Sequence, residues 1–221
     1  EAALRRGNVS GAVIKDGNVS SVQQLQRLVR SLGEAAAERP VIVAAEQPGG
    51  PDSVLPEEKG FEPFPSASAV GGAESTAAAR SIYRTMALDL ARLGFNMNIG
   101  PSEDACENGG VDLSASCFAS TPLLAAAYAA AFSAGHRDGG VFAVLRHEVD
   151  RHGFDAVRMK QSPAQAMLRV LLMREAGDAL MVRAKASESA AMLKWFRRAR
   201  AFRGLRPYDV AGRLVIMDFV I

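Results

Sequence analysis

The chain has 221 residues, of which 48% are hydrophobic and 23% charged, and its formal net charge is +2. This composition is sufficient for one sizeable folded domain and excludes an intrinsically disordered chain. The small net charge argues against a nucleic-acid-binding protein, and no apolar run approaches the ~20 residues that a membrane span needs.

The cysteines, Cys106 and Cys117, form no CxxC pair, and no histidine lies at a spacing typical of a zinc site. We therefore interpret both as free thiols in a reducing compartment, although the sequence leaves a disulfide between them open. A cytoplasmic location is the corresponding expectation, because no signal peptide is present. The chain starts at Glu1 without a methionine, so processing of the N-terminus stays open.

In chain order, short apolar runs alternate with helical patterns. Strands are predicted over 11–15, 41–45, 95–99, 141–145, 178–183 and 213–220. Helices are predicted from a cap at Ser20 or Ser21, and over 73–93, 122–135, 163–175 and 187–202. Strand followed by helix, repeated along the chain, predicts a parallel sheet with helical crossovers. No GxGxxG or GxxxxGK[ST] follows any strand, which argues against dinucleotide and P-loop nucleotide sites.

Polar side chains follow four of the predicted strands. They are Glu46, Asp104, the cluster over 146–152 and Asp218. The carboxyl ends of parallel strands share one face, so residues distant in sequence can converge there. Carboxylates and a histidine on one rim suit glycoside cleavage, in which one group attacks the sugar and another transfers the proton.

Five segments resemble the family 3 glycoside hydrolases, and specifically the bacterial β-N-acetylhexosaminidases that recycle cell-wall sugars. In chain order they are SGAVIKDGNVSSVQQLQRLV, VIVAAEQPGG, LARLGFNMNIGPSEDA, VFAVLRHEVDRHG and RLVIMDFVI. The resemblance implies that residues 1–221 form a single parallel (β/α) barrel of the TIM type. It places the first strand before Glu1 and the eighth after Ile221, so the barrel is incomplete in this chain. A longer natural chain, a second copy or another partner would then cover the open edges.

The resemblance also implies catalytic roles. Asp218 falls on the nucleophile of a retaining mechanism. If the loop after the 141–145 strand is shortened, Asp150 and His152 fall on the family's acid/base dyad, in which the aspartate orients the histidine. If the loop is not shortened, the dyad falls near Val157 and Met159 and is lost. We favour the shortened loop. No metal or organic cofactor is implied.

Sugar-binding roles fall on Glu46, Asp104, Arg146 and His147, and the partner is a saccharide that contains N-acetylglucosamine. Three departures qualify the resemblance. Glu46 replaces a shorter aspartate, Pro48 replaces a glutamate, and Ser116 stands near the position of a family arginine. An inactive family member that binds carbohydrate or acts as a scaffold is therefore the alternative to a hydrolase of terminal β-linked N-acetylglucosamine. An unrelated aldolase-like barrel would need a strand-end lysine; Lys185 stands near one, but the resemblance gives it no role.

Two further features receive structural interpretations. The basic run over 194–206 is interpreted as an outer helix with arginines that extend to solvent, although an anionic surface is an alternative partner. His136 lies at the end of the predicted 122–135 helix, where we expect it to act as a favourable positive charge.

Overall fold

The protein is described by a computed structural model over residues 1–37, 39–102, 106, 115–148, 179–183, 205–211 and 214–219. The described helices are α1 (Ala2–Arg5), α2 (Val22–Ala36), α3 (Ala67–Ala73), α4 (Thr76–Arg92) and α5 (Pro122–Asp138). The strands are β1 (Gly11–Ile14), β2 (Ile42–Glu46), β3 (Met97–Ser102), β4 (Phe142–Glu148), β5 (Ala179–Arg183), β6 (Leu205–Ala211) and β7 (Leu214–Phe219). Only the backbone of β5, β6 and β7 is described. The predicted helices over 163–175 and 187–202 lie outside the described residues.

The strands form one 7-stranded sheet in the order β1-β2-β3-β4-β5-β7-β6. Neighbouring strands from β1 to β5 are parallel, which confirms the predicted parallel α/β sheet for this part of the chain. The order begins at β1 and ends at β6, so the described strands form an open sheet. None of the helices in the described residues is long and apolar enough to cross a membrane.

The prediction of a parallel strand over 213–220 is wrong in its direction. β7 runs antiparallel to β5, and β6, which the sequence analysis did not identify, runs antiparallel to β7. The physical reason is the connection, because only Gly212 and Arg213 separate the two strands. A connection of two residues can join antiparallel strands, whereas a parallel crossover needs a dozen or more. Pro207 made the 205–211 segment look unlike a strand. Proline cannot donate a hydrogen bond to a neighbouring strand, but an edge strand tolerates it because one side of that strand has no neighbour.

The sheet has two different faces. Alternate residues such as Val43 and Ala45 of β2 join the main core, with apolar side chains of α2, α4 and α5. The residue between them, Ala44, instead packs with Ile99 and Val144 in a small cluster on the opposite face. We call this second face the inner face. The period of two in a strand assigns Glu46 and Arg146 to the inner face as well.

Side-chain caps fix where the helices begin. The Ser21 hydroxyl accepts a hydrogen bond from the amide of Gln24, which confirms the predicted cap of α2. The predicted helix over 73–93 is divided, because Ser75 caps a new helix through the amide of Ala78 while Glu74 is extended. Serine at an N-cap satisfies a backbone donor that the helix itself leaves unpaired.

The interpretation of both cysteines as free thiols is wrong. Cys106 and Cys117 form a disulfide, with a Cα–Cα distance of 5.5 Å. Cys117 forms a parallel bridge with Ser102 at the end of β3, and the amide of Cys106 donates to the carbonyl of Ala119. These contacts bring the two sulfurs together although 11 positions separate them in sequence. The disulfide also removes the argument from free thiols on which the cytoplasmic expectation rested.

Candidate functional site

Three charged side chains meet at the carboxyl ends of β1, β2 and β4. Lys15 follows β1, Glu46 ends β2, and Arg146 lies in β4. The Lys15 ammonium bonds Oε2 of Glu46, and Nη1 of Arg146 lies 3.5 Å from Oε1. The Glu46 and Arg146 side chains are 14% and 10% exposed, whereas that of Lys15 is 52% exposed. We call these residues the rim cluster.

Arg146 is held firmly but keeps one unused donor. Its Nε donates to the carbonyl of Gly100 at 2.8 Å, and its own carbonyl accepts a bond from the Ser102 hydroxyl at 3.4 Å. The buried Nη2 has no hydrogen-bond partner among the described residues. A buried donor without a partner costs free energy. The guanidinium therefore has capacity for one further acceptor, such as a hydroxyl oxygen.

The turn that carries Glu46 is fixed by buried polar contacts. Asn98 of β3 accepts a bond from the amide of Gln47 at 3.0 Å and donates to the Gln47 carbonyl at 2.9 Å. The Gln47 side chain accepts a bond from the amide of Leu55 at 3.1 Å, and the Glu46 carbonyl accepts one from Val54 at 3.2 Å. The two peptide groups on either side of Gln47 are therefore both held by hydrogen bonds to other segments of the chain.

His136 supports Asn98 from the helical side, and the expectation that it is a charged helix terminus is wrong. Its ring is fully buried and lies 2.8 Å from the amide nitrogen of Asn98. Nδ1 lies 2.9 Å from the carbonyl of Phe132, which can only accept, so Nδ1 carries the proton and Nε2 accepts from Asn98. Burial lowers the pKa of His136 to about 4, so the ring is neutral at physiological pH.

Comparison with known proteins shows which family the chain belongs to. The model of the glycosyl hydrolase family 3 N-terminal domain matches residues 1–157, which is more than half of the chain. The chain belongs to glycosyl hydrolase family 3. The family inferred from the sequence is thereby confirmed; four of the five segments lie within the matched residues, and RLVIMDFVI lies beyond them.

One curated relative and two solved structures illustrate what the chain is similar to. The chain is 27% identical over 143 residues to a beta-hexosaminidase of Idiomarina loihiensis, covering 63% of this chain and 42% of that protein. A family 3 beta-N-acetylglucosaminidase structure from Paenibacillus sp. has a TM-score of 0.63 at 22% identity, over 80% of this chain and 36% of that one. NagZ from Neisseria gonorrhoeae, solved with N-trifluoroacetyl-D-glucosamine, has a TM-score of 0.65 at 20% identity, over 78% and 55% of the two chains. The family 3 chain thus spans less than half of its curated relative.

The family 3 resemblance assigned Asp218 as nucleophile, and the backbone register locates this residue. Glu46 pairs with Ile99, Ile99 with Val144, Val144 with Ala179, and Ala179 with Asp218. Asp218 and Glu46 therefore occupy one row across the sheet, although β7 is antiparallel. Four interstrand steps of about 4.8 Å separate them by about 19 Å in a flat sheet, so only curvature can bring both to one sugar ring.

The remaining predicted site residues are described only in part or not at all. The backbone of His147 lies in β4, directly after Arg146, but its side chain is outside the described part of the chain. Asp104, Asp150 and His152 also lie outside the described residues. Their roles, like that of Asp218, stay predictions.

A separate pocket lies under the loop that follows β2. It has a volume of about 400 Å³, and Pro51, Pro56 and Pro63 contribute to its wall together with Glu57 and Glu58. No member of the rim cluster is among its lining residues. We assign the candidate site to the rim cluster and not to this pocket, because the charged side chains meet at the carboxyl ends of parallel strands.

Sequence reasoning missed three residues of this arrangement. Lys15 directly follows an apolar strand, which is the same signal that identified Glu46. Asn98 stands inside the apolar strand Met97–Ser102, where a polar side chain must find partners when buried. His136 gave no comparable signal, because the direction of its ring depends on how α5 packs against β3.

Proposed function

We propose that the protein is a retaining glycoside hydrolase that cleaves terminal β-linked N-acetylglucosamine, with the rim cluster as part of the sugar-binding site. The single observation that carries the proposal is the pairing of Glu46 with Arg146 at the carboxyl ends of β2 and β4 in a family 3 domain. A carboxylate accepts bonds from sugar hydroxyls, and a guanidinium donates bonds to their oxygens. Nη2 of Arg146, which has no hydrogen-bond partner in the part of the chain that the structure describes, supports this assignment.

The proposed chemistry uses residues that the resemblance supplied. Asp218 attacks the anomeric carbon as a carboxylate, while His152 protonates the leaving oxygen and then activates water. Histidine has an ordinary pKa near ~6.5, and an adjacent carboxylate such as Asp150 raises it, so the ring can hold this proton at neutral pH. This route needs no metal or organic cofactor.

A second candidate is a family 3 protein that binds carbohydrate without cleaving it. The feature in its favour is the altered EQPGG segment, in which Pro48 stands at the position of a family glutamate. Ser116, which stands near the position of the family arginine, also weakens the case for turnover.

Turnover of a chromogenic β-N-acetylglucosaminide with a poor leaving group, measured on the full-length protein, tests the proposal. We expect activity in the wild type, none in Asp218→Ala, and about 10²–10⁴-fold less in His152→Ala. Asp150→Ala should reduce activity less, because it loosens the orientation of the histidine without removing it. Activity that survives Asp218→Ala would exclude this nucleophile. Saccharide binding by an inactive wild type would establish the second candidate.

The same assay, with a saccharide-binding titration, tests the rim cluster. Arg146→Met removes the donors but keeps the aliphatic stem, and we expect the Kd for the saccharide to rise by about tenfold or more. Arg80→Met is the matched control, because Arg80 forms an exposed ion pair with Asp138 on the helical layer. An Arg146→Met protein that binds as the wild type does would remove the rim cluster from the site.

A further inference from the structure

We propose that Asn98 and His136 are positioning residues of the sugar-binding site, acting through the backbone of Gln47 to hold Glu46 in place. This inference rests on the proposed function, because it takes Glu46 as a sugar-binding group. It concerns two residues that lie on the helical side of the sheet and do not belong to the rim cluster.

The side chain of Asn98 is held by hydrogen bonds at each of its polar atoms. Its side chain is fully buried, and each of its polar atoms has a partner. Oδ1 accepts from the Gln47 amide, and Nδ2 donates to the Gln47 carbonyl and to Nε2 of His136. A buried carboxamide in this state has one favourable orientation, because any rotation leaves buried groups unpaired.

The bonds between Asn98 and Gln47 constrain the backbone of the preceding residue, Glu46. The peptide that follows Glu46 is fixed at both ends, because Asn98 accepts from the Gln47 amide and Val54 donates to the Glu46 carbonyl. The bond from Asn98 to the Gln47 carbonyl fixes the next peptide as well. The backbone of Glu46 is thereby constrained while its carboxylate projects from the inner face to Arg146 and Lys15. The long contact of 3.5 Å to Arg146 is sensitive to a small displacement of this turn.

His136 provides the acceptor for one N–H of the Asn98 side chain. Its Nδ1–H is bound by the Phe132 carbonyl within α5, so Nε2 is presented to Asn98 as an acceptor. Tyr83 of α4 is in ring contact with it, and burial raises the pKa of that hydroxyl, so the tyrosine is neutral at physiological pH. α5 therefore supplies the acceptor that fixes the second N–H of Asn98.

Asn96, which lies directly before β3, provides a control two positions earlier in the chain. It accepts a bond from the Val43 amide at 2.9 Å and donates to the Val41 carbonyl at 2.7 Å. Asn96 thus clamps the amino-terminal end of β2 in the way that Asn98 clamps the carboxyl-terminal end. Both side chains accept from one backbone amide and donate to one backbone carbonyl of the β2 segment, but only Asn98 is buried and adjoins Glu46.

The experiment compares Asn98→Ala with Asn96→Ala and His136→Phe with His136→Gln. In the free protein we expect Asn98→Ala to speed hydrogen exchange of the Gln47 amide at least tenfold and to shift the carboxyl ¹³C signal of Glu46. Asn96→Ala should instead speed exchange at Val43 and leave the Glu46 signal unchanged. His136→Phe should resemble a weaker Asn98→Ala, and His136→Gln should restore the wild-type values, because its amide oxygen can accept the same bond.

With saccharide or substrate present, Asn98→Ala should raise Kd or KM about tenfold and His136→Phe should raise it less. Both should leave any kcat nearly unchanged, as expected when a binding group is misplaced. Equal effects of Asn96→Ala and Asn98→Ala on the Glu46 signal would overturn the inference, as would wild-type exchange at Gln47 in Asn98→Ala. If Asn98→Ala does not fold, the comparison of His136→Phe with His136→Gln tests the inference instead. A wild type that binds no saccharide refutes the proposed function alone, since exchange and the carboxyl signal need no ligand.

Discussion

At the scale of single residues, the structure distinguishes side chains by their partners. Arg146 and His136 both follow apolar stretches, and both are buried. Around Arg146, Glu46 and the Gly100 carbonyl compensate for the water that the guanidinium loses on burial. His136 has no carboxylate partner among the described residues and is neutral instead.

The neutral state of His136 predicts a specific pH dependence of stability. Its pKa falls from 6.5 in the unfolded chain to about 4 in the folded protein. The stabilisation is complete above pH 6.5 and is lost as the pH falls toward 4, because the unfolded state then binds a proton that the folded state does not. This corresponds to about 3 kcal/mol of the free energy of unfolding.

Denaturant unfolding of the wild type and His136→Gln at pH 7 and pH 4 measures this effect. The variant has no titratable group at this position, so its stability should fall less between the two pH values. Carboxylates elsewhere titrate equally in both proteins and cancel in the comparison. Identical losses in the two proteins would show that the ring does not titrate in this way.

At the scale of elements, α4 and α5 set the position of His136. They approach closely because Gly135 offers no side chain at their contact. A Cβ at Gly135 would lie 2.5 Å from the carbonyl oxygen of Arg80 and 2.8 Å from the amide nitrogen of Arg84. Backbone atoms cannot move aside as a flexible side chain can, so a larger residue would force the helices apart.

We predict that Gly135→Ala lowers the free energy of unfolding by about 1–3 kcal/mol through overpacking. Gly33→Ala in α2 is the control, since a Cβ at Gly33 would meet nothing within 4 Å. The control should raise stability by about 0.5–1 kcal/mol, because alanine favours the helix more than glycine does. Both values follow from chemical denaturation at neutral pH. Stabilisation of the protein by Gly135→Ala would contradict the close helix contact.

At the scale of the whole molecule, the disulfide ties the segment after β3 to the sheet. Cys117 is fully buried and bridges Ser102, whose hydroxyl contacts the backbone of Arg146. The crosslink is therefore connected to the rim cluster through Ser102. It also makes the redox state of the surroundings relevant to the stability of the fold.

We expect reduction of the disulfide to lower the free energy of unfolding by about 3 kcal/mol, from the entropy of the short loop that the bond closes. Thermal unfolding with and without a thiol reductant measures the change, and alkylation followed by mass spectrometry counts the thiols. The Cys106→Ser/Cys117→Ser protein is the control and should not respond to reductant. Two free thiols in the untreated, oxidised protein would contradict the crosslink.

The sequence by itself determined the alternation of strands and helices up to β4, a cap of α2 at Ser20 or Ser21, and the family. These features depend on local patterns: apolar runs, capping hydroxyls and motifs after strands. It also identified Glu46 and Arg146, because carboxyl ends of parallel strands share one face. The local pattern did not reveal β6, because Pro207 and nearby charges obscure an edge strand that only its pairing with β7 defines.

Only the tertiary structure decided which groups meet. The pairing of Cys106 with Cys117, the neutral state of His136 and the clamp of Asn98 on Gln47 each join residues from different elements. A side chain's charge and bonding depend on the burial and partners it finds after packing, and neighbours in sequence do not specify these. The sequence therefore fixes the candidate chemistry of the rim, and the packing of α5 against β3 fixes how Glu46 is held.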